Sequence, residues 1–141
     1  MENKYKFALL HNHTTDSIRD SVMSSEELVE RASELGITAV AKTEHGTMIG
    51  YNEFYTLCKE KGILPILGVE AYVTNDVCSD TSDRRHLILM AKNTDGFRAI
   101  SKAVTESNEH VVKVGKLSFP LMDKKIIEKW FSRGSLGYGN V

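Results

Sequence analysis

The sequence is poor in features that would assign it to several classes of protein. Its only cysteines, Cys58 and Cys78, lie far apart and form no Cys-x-x-Cys motif. Two isolated thiols predict neither a disulfide framework nor a thiolate zinc site, and they are typical of a reducing compartment. No apolar run approaches the ~18 residues of a membrane-spanning helix, and the N-terminus lacks the apolar segment of a signal peptide. We therefore expect a cytoplasmic protein with no membrane partner.

An excess of charge of one sign is also lacking. The chain has 18 Lys and Arg residues against 19 Asp and Glu residues, a formal net charge of -1. A nearly neutral protein has no overall field that would attract nucleic acid or an anionic membrane, so any contact with nucleic acid must be local. With 41% hydrophobic and 26% charged residues, the composition is that of one ordinary folded domain. It excludes intrinsic disorder.

Extended and helical patterns alternate along the first half of the chain. They predict strands over residues 5–10, 38–41 and 64–69, and helices over residues 25–35 and 48–61. Ser24 and Glu27 have the spacing of a capping box at the start of the first helix, and Gly36 marks its end. This order predicts parallel strands covered by helices, as in doubly wound sheets and α/β barrels. In both architectures, functional residues collect at the carboxyl ends of the strands.

The pattern changes in the second half of the chain. The polar residues 74–85 are consistent with a hairpin tip. Regular elements are predicted after it: a strand over residues 86–91, a helix over 95–107, an extended segment over 117–121 and a helix over 123–131. A glycine-rich turn with Gly134, Gly137 and Gly139 then precedes Asn140 and Val141, which resemble the start of a strand. Because a strand needs partners for its backbone groups, we expect the chain to be a fragment of a longer domain.

Imidazoles and a carboxylate follow the first three predicted strands. His11 and His13 come directly after the first strand and lie two residues apart, so they point to the same side of an extended backbone. His45 follows the second strand, and Glu70 comes at the end of the third. A lone His-x-His pair or a lone glutamate would be weak evidence for a metal. The shared position at three strand ends indicates a common metal site.

Three further residues are expected near the same rim, the edge of the sheet at which these three strands end. Asp16 and Asp20 lie in the loop after the first strand, where each could equally be a turn residue or a partner for a helix dipole. His86 opens the fourth strand, and an antiparallel fourth strand would place it beside Glu70. Imidazoles and carboxylates suit Zn, Mn or Fe, and their number exceeds the ligands of one tetrahedral ion. More than one ion is expected, an arrangement typical of phosphoester hydrolysis.

Four segments carry motifs that can be compared with known families. They are FALLHNHTTDSIRDS (7–21), ELVERASELGITAVAKTEHGTMIG (27–50), FYTLCKEKGILPILGVEAYV (54–73) and HLILMAKNTDGFRAISKAV (86–104). Together they resemble the PHP (polymerase and histidinol phosphatase) superfamily, and in particular the N-terminal PHP domains of bacterial DNA polymerase III alpha subunits, the C-family replicative polymerases. Free-standing histidinol phosphatases share the His-x-His motif and the later histidine, but not the segments TEHGTMIGYNEFY (43–55) and HLILMAKN (86–93).

The resemblance implies the N-terminal part of a distorted (β/α)7 barrel of the PHP type over residues 1–141, with up to three divalent metal ions in the intact domain. Matched motif by motif, it implies these ligands: His11, His13, Asp20, His45, Glu70 and His86. The superfamily's further ligands, a Cys or His and then an Asp-x-His pair, would follow residue 141.

Two positions depart from the family pattern. Glu44 replaces the usual aspartate of Thr-Asp-His-Gly, where it would support the metal ligands from behind. Ser21 replaces the usual glycine after Asp20, which bears on the turn that presents this aspartate. Neither change removes an implied ligand.

The resemblance also implies a function. The chain would be part of a DNA-directed DNA polymerase, a nucleotidyltransferase whose PHP domain carries a metal-dependent phosphoesterase site, with 3'-5' exonuclease (proofreading) activity in the intact protein. Its partners would be DNA, through the intact polymerase, the other polymerase domains and replisome subunits. Two alternatives stay open: a free-standing phosphatase of the histidinol phosphatase type, and a non-catalytic module that stabilises a polymerase. Because part of the ligand set is absent, we expect these 141 residues alone to be inactive.

Overall fold

The computed structural model describes residues 7–79, 83–131 and 136–138. In these residues seven strands and four helices follow one another in this order: β1 (Ala8–Leu9), α1 (Ser25–Glu34), β2 (Ala39–Lys42), α2 (Tyr51–Glu60), β3 (Leu64–Val73), β4 (Arg85–Ala91), α3 (Thr94–Ser107), β5 (Val111–Val114), β6 (Leu117–Met122), α4 (Lys124–Trp130) and β7 (Leu136–Tyr138). None of the helices in these residues has the length and apolarity needed to cross a membrane.

The first three strands are parallel, as the alternating pattern predicts. Strand β2 lies between β1 and β3, and Val40 is level with Leu9 on one side and with Pro65 on the other. Helix α1 begins at the predicted capping box, with Ser24 and Glu27 each accepting a hydrogen bond from the other's backbone N–H. Gly36 follows the helix with φ +68°, a left-handed conformation that glycine adopts without strain.

Two hydrophobic clusters hold the helices to the sheet. The first joins α1, β2 and α2 through Leu28, Val29, Ala32, Val40, Phe54, Cys58 and Ile63. The second joins β3, β4, β6, α3 and α4 through Val69, Ala71, Leu89, Ile100, Ala103, Val104, Met122 and Ile126. Both cysteines are free, as expected, and burial raises the pKa of the Cys58 thiol to about 11. Neither cluster includes the residues that directly follow β1 and β2, where polar side chains lie.

Strand β3 is longer than predicted and organises the rest of the sheet. It continues to Val73 rather than ending at residue 69, because β4 pairs with it antiparallel from Gly68↔Met90 to Val73↔Arg85. The fourth strand is therefore antiparallel to the third, the orientation expected if residues 74–85 connect them as a hairpin. On its other edge, β3 pairs with β2 over its first half and with β6 at Tyr72 and Val73. Glu70 consequently lies within the strand, three residues before its end.

The C-terminal part differs from the predictions in two places. Strand β5 was not predicted, and it forms an antiparallel hairpin with β6 around Gly115, whose φ is +61°. The predicted glycine-rich turn is wrong at Gly137, which pairs with Met90 as part of β7. Pairing with the free edge of β4 outweighs the low strand propensity of glycine at this position. Gly134, Gly139, Asn140 and Val141 lie outside the described residues.

Gly68 lies where β3 and β4 leave no room for a side chain. A Cβ atom added at this position would lie 2.6 Å from the carbonyl oxygen of Leu89 and 3.1 Å from Cγ2 of Thr43. We expect Gly68→Ala to lower the free energy of unfolding by about 3 kcal/mol, because a backbone oxygen cannot move aside cheaply. Gly62→Ala is the control: open space surrounds Gly62, and only its φ of +69° is strained, at a cost of about 1 kcal/mol. Urea unfolding of both variants checks this prediction, and equal losses would contradict it.

Candidate metal centre

The chain segments after β1 and β2 run side by side, and the segment after β2 lies along β3, so that their histidines reach Glu70. The backbone N–H of Thr43 donates to the carbonyl of Asn12, which keeps the two segments side by side beyond the ends of their strands. Next to them, His45 forms an isolated parallel bridge with Glu70. The N–H of Glu70 donates to the carbonyl of Glu44, and the N–H of Gly46 donates to the carbonyl of Glu70. The rim exists because β3 extends past its shorter neighbours.

His11, His13 and Glu70 form the first group of metal-ligand type. The Nε2 atoms of His11 and His13 lie 2.8 and 2.9 Å from Oε2 of Glu70, and 3.1 Å from each other. Both imidazoles therefore point to the same side, as their spacing of two residues predicts. We call His11, His13 and Glu70 the first ligand group.

His45, His86 and Glu70 form the second ligand group. Nδ1 of His86 lies 2.7 Å from Oε1 of Glu70, and Nδ1 of His45 lies 3.6 Å from Oε2. In each group the ligand atoms all lie within 4.8 Å of one another. Because Glu70 belongs to both groups, its carboxylate joins them into one centre.

The geometry of these groups fits divalent ions. Neighbouring ligands of a tetrahedral zinc ion are about 3.3 Å apart, since each lies near 2.0–2.1 Å from the metal. The separations in the first ligand group, 2.8 to 3.1 Å, approach that spacing. In addition, Nδ1 of His45 is buried and has no hydrogen-bond partner among the described residues. A buried unpaired nitrogen is costly, and a metal ion would satisfy it.

Electrostatics favours the ligand forms of Glu70 and His45. Burial acts to raise the pKa of the Glu70 carboxyl, but the hydrogen bond with His11 and the charges of the surrounding histidines outweigh burial and hold the pKa below its usual value. Burial lowers the pKa of His45, which favours the neutral imidazole. A carboxylate and a neutral imidazole are the forms that bind metal.

Asp20 lies apart from the two ligand groups. Its side chain is 46% exposed, and its Oδ2 atom lies 3.7 Å from Nε2 of His45, too far for a hydrogen bond. The structure therefore brings together five of the six residues implied as ligands and places Asp20 at their edge. Its role as a ligand stays a prediction.

Glu44 lies behind the histidines and is completely buried. Its Oε1 atom accepts hydrogen bonds from the backbone N–H of Thr14 at 2.9 Å and from the Thr14 hydroxyl at 2.7 Å, and its Oε2 atom accepts one from the Ser17 hydroxyl. Its nearest approach to an imidazole is 3.8 Å, to Nδ1 of His13. Glu44 thus holds the loop that follows His13.

Two residues behind the site form an ion pair that the sequence analysis did not find. Lys42 is completely buried at the end of β2, and its Nζ atom donates to Oδ2 of Asp16 at 2.6 Å and to the Ser25 hydroxyl at 2.7 Å. The sequence allows Asp16 to be a turn residue or a partner for a helix dipole, and the structure shows that it is the counter-ion of Lys42. The sequence does contain a signal for this ion pair: Lys42 ends the otherwise apolar strand Ala-Val-Ala-Lys, and a buried charge needs a partner of opposite sign.

The rim opens into a cleft of about 620 Å³. One wall is aromatic: the Tyr72 ring stacks on the His45 ring at 5.4 Å between centroids, and Phe119 meets Tyr72 edge-on at 5.0 Å. The guanidinium of Arg84 lies 4.3 Å from the centroid of the Phe119 ring. Aromatic rings therefore line the cleft next to the ligand groups, and a positive charge lies against one of these rings.

The sequence profile of the PHP domain family matches residues 10–137. The chain belongs to the PHP domain family. This membership confirms the resemblance seen in the four motif segments, and the matched residues include both ligand groups.

Curated relatives of this PHP domain are DNA polymerase III alpha subunits. The one from Helicobacter pylori strain 26695 is 38% identical over 135 residues, which cover 91% of this chain and 10% of the relative. The Aquifex aeolicus protein is 36% identical over 88% of this chain and 11% of its own length. The match lies in the N-terminal region of such subunits. The chain thus spans about a tenth of the curated relatives it matches.

Solved structures support the same fold. A candidate metal-dependent phosphoesterase from Bifidobacterium adolescentis superposes with a TM-score of 0.56 and 25% identity, over 74% of this chain and 34% of that protein. An amidohydrolase from Chromobacterium violaceum superposes with a TM-score of 0.55 and 22% identity, over 72% of this chain and 33% of that protein. The predicted α/β fold of the PHP type is confirmed.

Proposed function

We propose that this PHP domain is the N-terminal part of a replicative DNA polymerase III alpha subunit and holds a divalent metal centre of the phosphoesterase type. The observation that carries the proposal is the Glu70 carboxylate, which joins two groups of imidazoles within 4.8 Å. DNA and the other replisome subunits would be its partners, as the relatives' identity suggests. In the intact protein, the centre would cleave phosphodiester bonds at a 3' end, a 3'-5' exonuclease suited to proofreading.

Each part of the site has a role in this proposal. His11, His13, His45, His86 and Glu70 would hold two ions, with Asp20 at the edge of the cleft. Divalent ions so held supply activation of water and stabilisation of charge on a phosphate group. Tyr72 and Phe119 would position a nucleobase by stacking, which tolerates any base sequence because every base has a π-face. Arg84, next to Phe119, would attract the phosphate backbone.

The test compares metal binding with hydrolysis. The chain is loaded with Mn²⁺ or Zn²⁺ and incubated with single-stranded DNA and with a simple phosphate monoester, beside a version extended by the PHP residues that follow in the family. We expect the short chain to bind metal without turnover and the extended one to shorten DNA from its 3' end, with loss of this activity in His13→Ala.

The other outcomes separate the alternatives. Turnover of the monoester, with DNA left intact, would identify a phosphatase of the histidinol phosphatase type and contradict the proposal. Metal binding without hydrolysis by either protein would identify a structural module. DNA hydrolysis by the short chain at the rate of the extended one, abolished by His13→Ala, would show that the ligands in this chain suffice.

A further inference from the structure

The hydroxyl of Ser17 lies between the Glu44 carboxylate and the His13 imidazole. Ser17 is 2% exposed, and its hydroxyl donates to Oε2 of Glu44. On its other side, the Ser17 oxygen lies 3.3 Å from Nδ1 of His13. The backbone N–H of His45 also donates to this oxygen, at 3.0 Å. One small side chain therefore contacts a buried carboxylate and the segments that carry two of the proposed ligands.

The proton count of Ser17 determines the direction of these hydrogen bonds. A serine hydroxyl has one proton to donate, whereas an ionised carboxylate can only accept. Because the Ser17 proton is directed to Glu44, the Ser17 oxygen can only accept a hydrogen bond from Nδ1 of His13. That bond requires Nδ1 of His13 to carry a proton. In a neutral imidazole the other ring nitrogen, Nε2, then has a free lone pair.

This tautomer suits the metal centre. Nε2 of His13 is the atom that faces Glu70, at 2.9 Å, and Nε2 of His11, at 3.1 Å. A metal-binding histidine commonly donates its other N–H to a neighbouring oxygen, which fixes the tautomer and the orientation of the ring. The His13 ring is also stacked on the His45 ring, with centroids 4.3 Å apart and planes 10° apart. A change at Ser17 would therefore affect both ligand groups.

We propose that Ser17 is a positioning residue that connects Glu44 to Nδ1 of His13 and so holds the His13 imidazole in the tautomer whose Nε2 can bind a metal ion. The proposal rests on the proposed metal centre. It adds a residue that is not a ligand, and it explains the buried carboxylate of Glu44: the carboxylate fixes the direction of the Ser17 hydroxyl.

The first test examines the tautomer in the metal-free wild-type protein. Nitrogen-15 NMR of the histidine rings at a pH where they are neutral separates Nδ1–H from Nε2–H forms. We expect His13 to be the Nδ1–H form in the wild type and to lose this preference in Ser17→Ala. A predominant Nε2–H form of His13 in the wild type would overturn the proposal, since the Glu70 carboxylate, 2.9 Å from Nε2, rather than Ser17 would then determine the tautomer. This measurement does not depend on the folding of any variant.

The second test measures zinc affinity by calorimetry. Loss of an outer hydrogen-bond partner of a metal-binding histidine typically weakens affinity 10- to 100-fold, so we expect Ser17→Ala to lose about that factor. Ser17→Thr, which keeps the hydroxyl, should restore most of the affinity. Ser33→Ala, an exposed serine on α1, is the matched control and should bind like the wild type.

The outcomes distinguish this proposal from the proposed function. A wild-type protein that binds no zinc would refute the metal centre itself, whatever the tautomer of His13. A wild-type protein that binds zinc, together with a Ser17→Ala variant of unchanged affinity, would refute only the role of Ser17. Thermal melts of the metal-free variants accompany the calorimetry. A purely structural role would lower the melting temperature without changing the His13 tautomer, and this result would also contradict the proposal.

Discussion

Replacement of Glu70 by glutamine is expected to remove metal binding from both ligand groups at once. The Glu70 carboxylate contributes Oε2 to His11 and His13 and Oε1 to His86. A neutral amide of the same size keeps the packing but loses the charge that an ion requires. Since loss of an outer partner already weakens affinity 10- to 100-fold, loss of a shared ligand should weaken it by more than ~100-fold. Calorimetry with Zn²⁺ or Mn²⁺ and elemental analysis of bound ions provide the measurement.

Single-histidine variants provide the contrast. His11→Ala should affect only the first ligand group, and His86→Ala only the second, so each should retain part of the bound metal. Glu53→Gln, at an exposed position on α2, controls for the change in charge and should bind metal like the wild type. If Glu70→Gln loses no more metal than His86→Ala does, the two groups do not share this carboxylate.

Several features of the fold could be predicted from local signals. The capping box of Ser24 and Glu27 and the glycine at position 36 determine the ends of α1 through backbone hydrogen bonds within a few residues. Strand β5 could not be found in this way, because Val111–Val114 is short and half exposed and is a strand only through its pairing with β6. Gly137 was misassigned for the same reason, since its conformation depends on the edge of β4.

The candidate site likewise has residues that local patterns predict and one residue that depends on contacts between distant segments. His11, His13 and His45 could be predicted to converge because they directly follow parallel strands, whose ends meet at one edge of the sheet. Glu70 was placed correctly at the rim, although the strand continues beyond it, because β1 and β2 are shorter than β3. Ser17 could not be found, because its role depends on contacts with residues distant in the chain.

Loss of the buried Lys42 charge is expected to destabilise the metal-free protein strongly. Lys42 and Asp16 form a hydrogen-bonded ion pair, and the Lys42 ammonium also lies 3.8 Å from Oε1 of the buried Glu44. Removal of one partner of a buried pair typically costs 3–5 kcal/mol, because the other charge stays buried without compensation. We expect Lys42→Met to lower the free energy of unfolding by about that amount, measured by urea unfolding without metal. Asp16→Asn should lose less, because Asp16 is 26% exposed and Ser25 still contacts Lys42.

The double variant and an exposed ion pair make this expectation specific. The double variant Lys42→Met, Asp16→Asn should lose about 1–3 kcal/mol less of the free energy of unfolding than the two single variants together. The reason is that both charges of the pair are then removed, so that neither stays behind without its partner. Arg31 and Glu34 form an ion pair at 2.7 Å on the surface of α1, with side chains 63% and 65% exposed. Arg31→Met should therefore cost no more than about 1 kcal/mol. A loss in Lys42→Met as small as that in Arg31→Met would show that the buried pair does not hold the loop behind the histidines, and additive losses would show that Lys42 and Asp16 act independently.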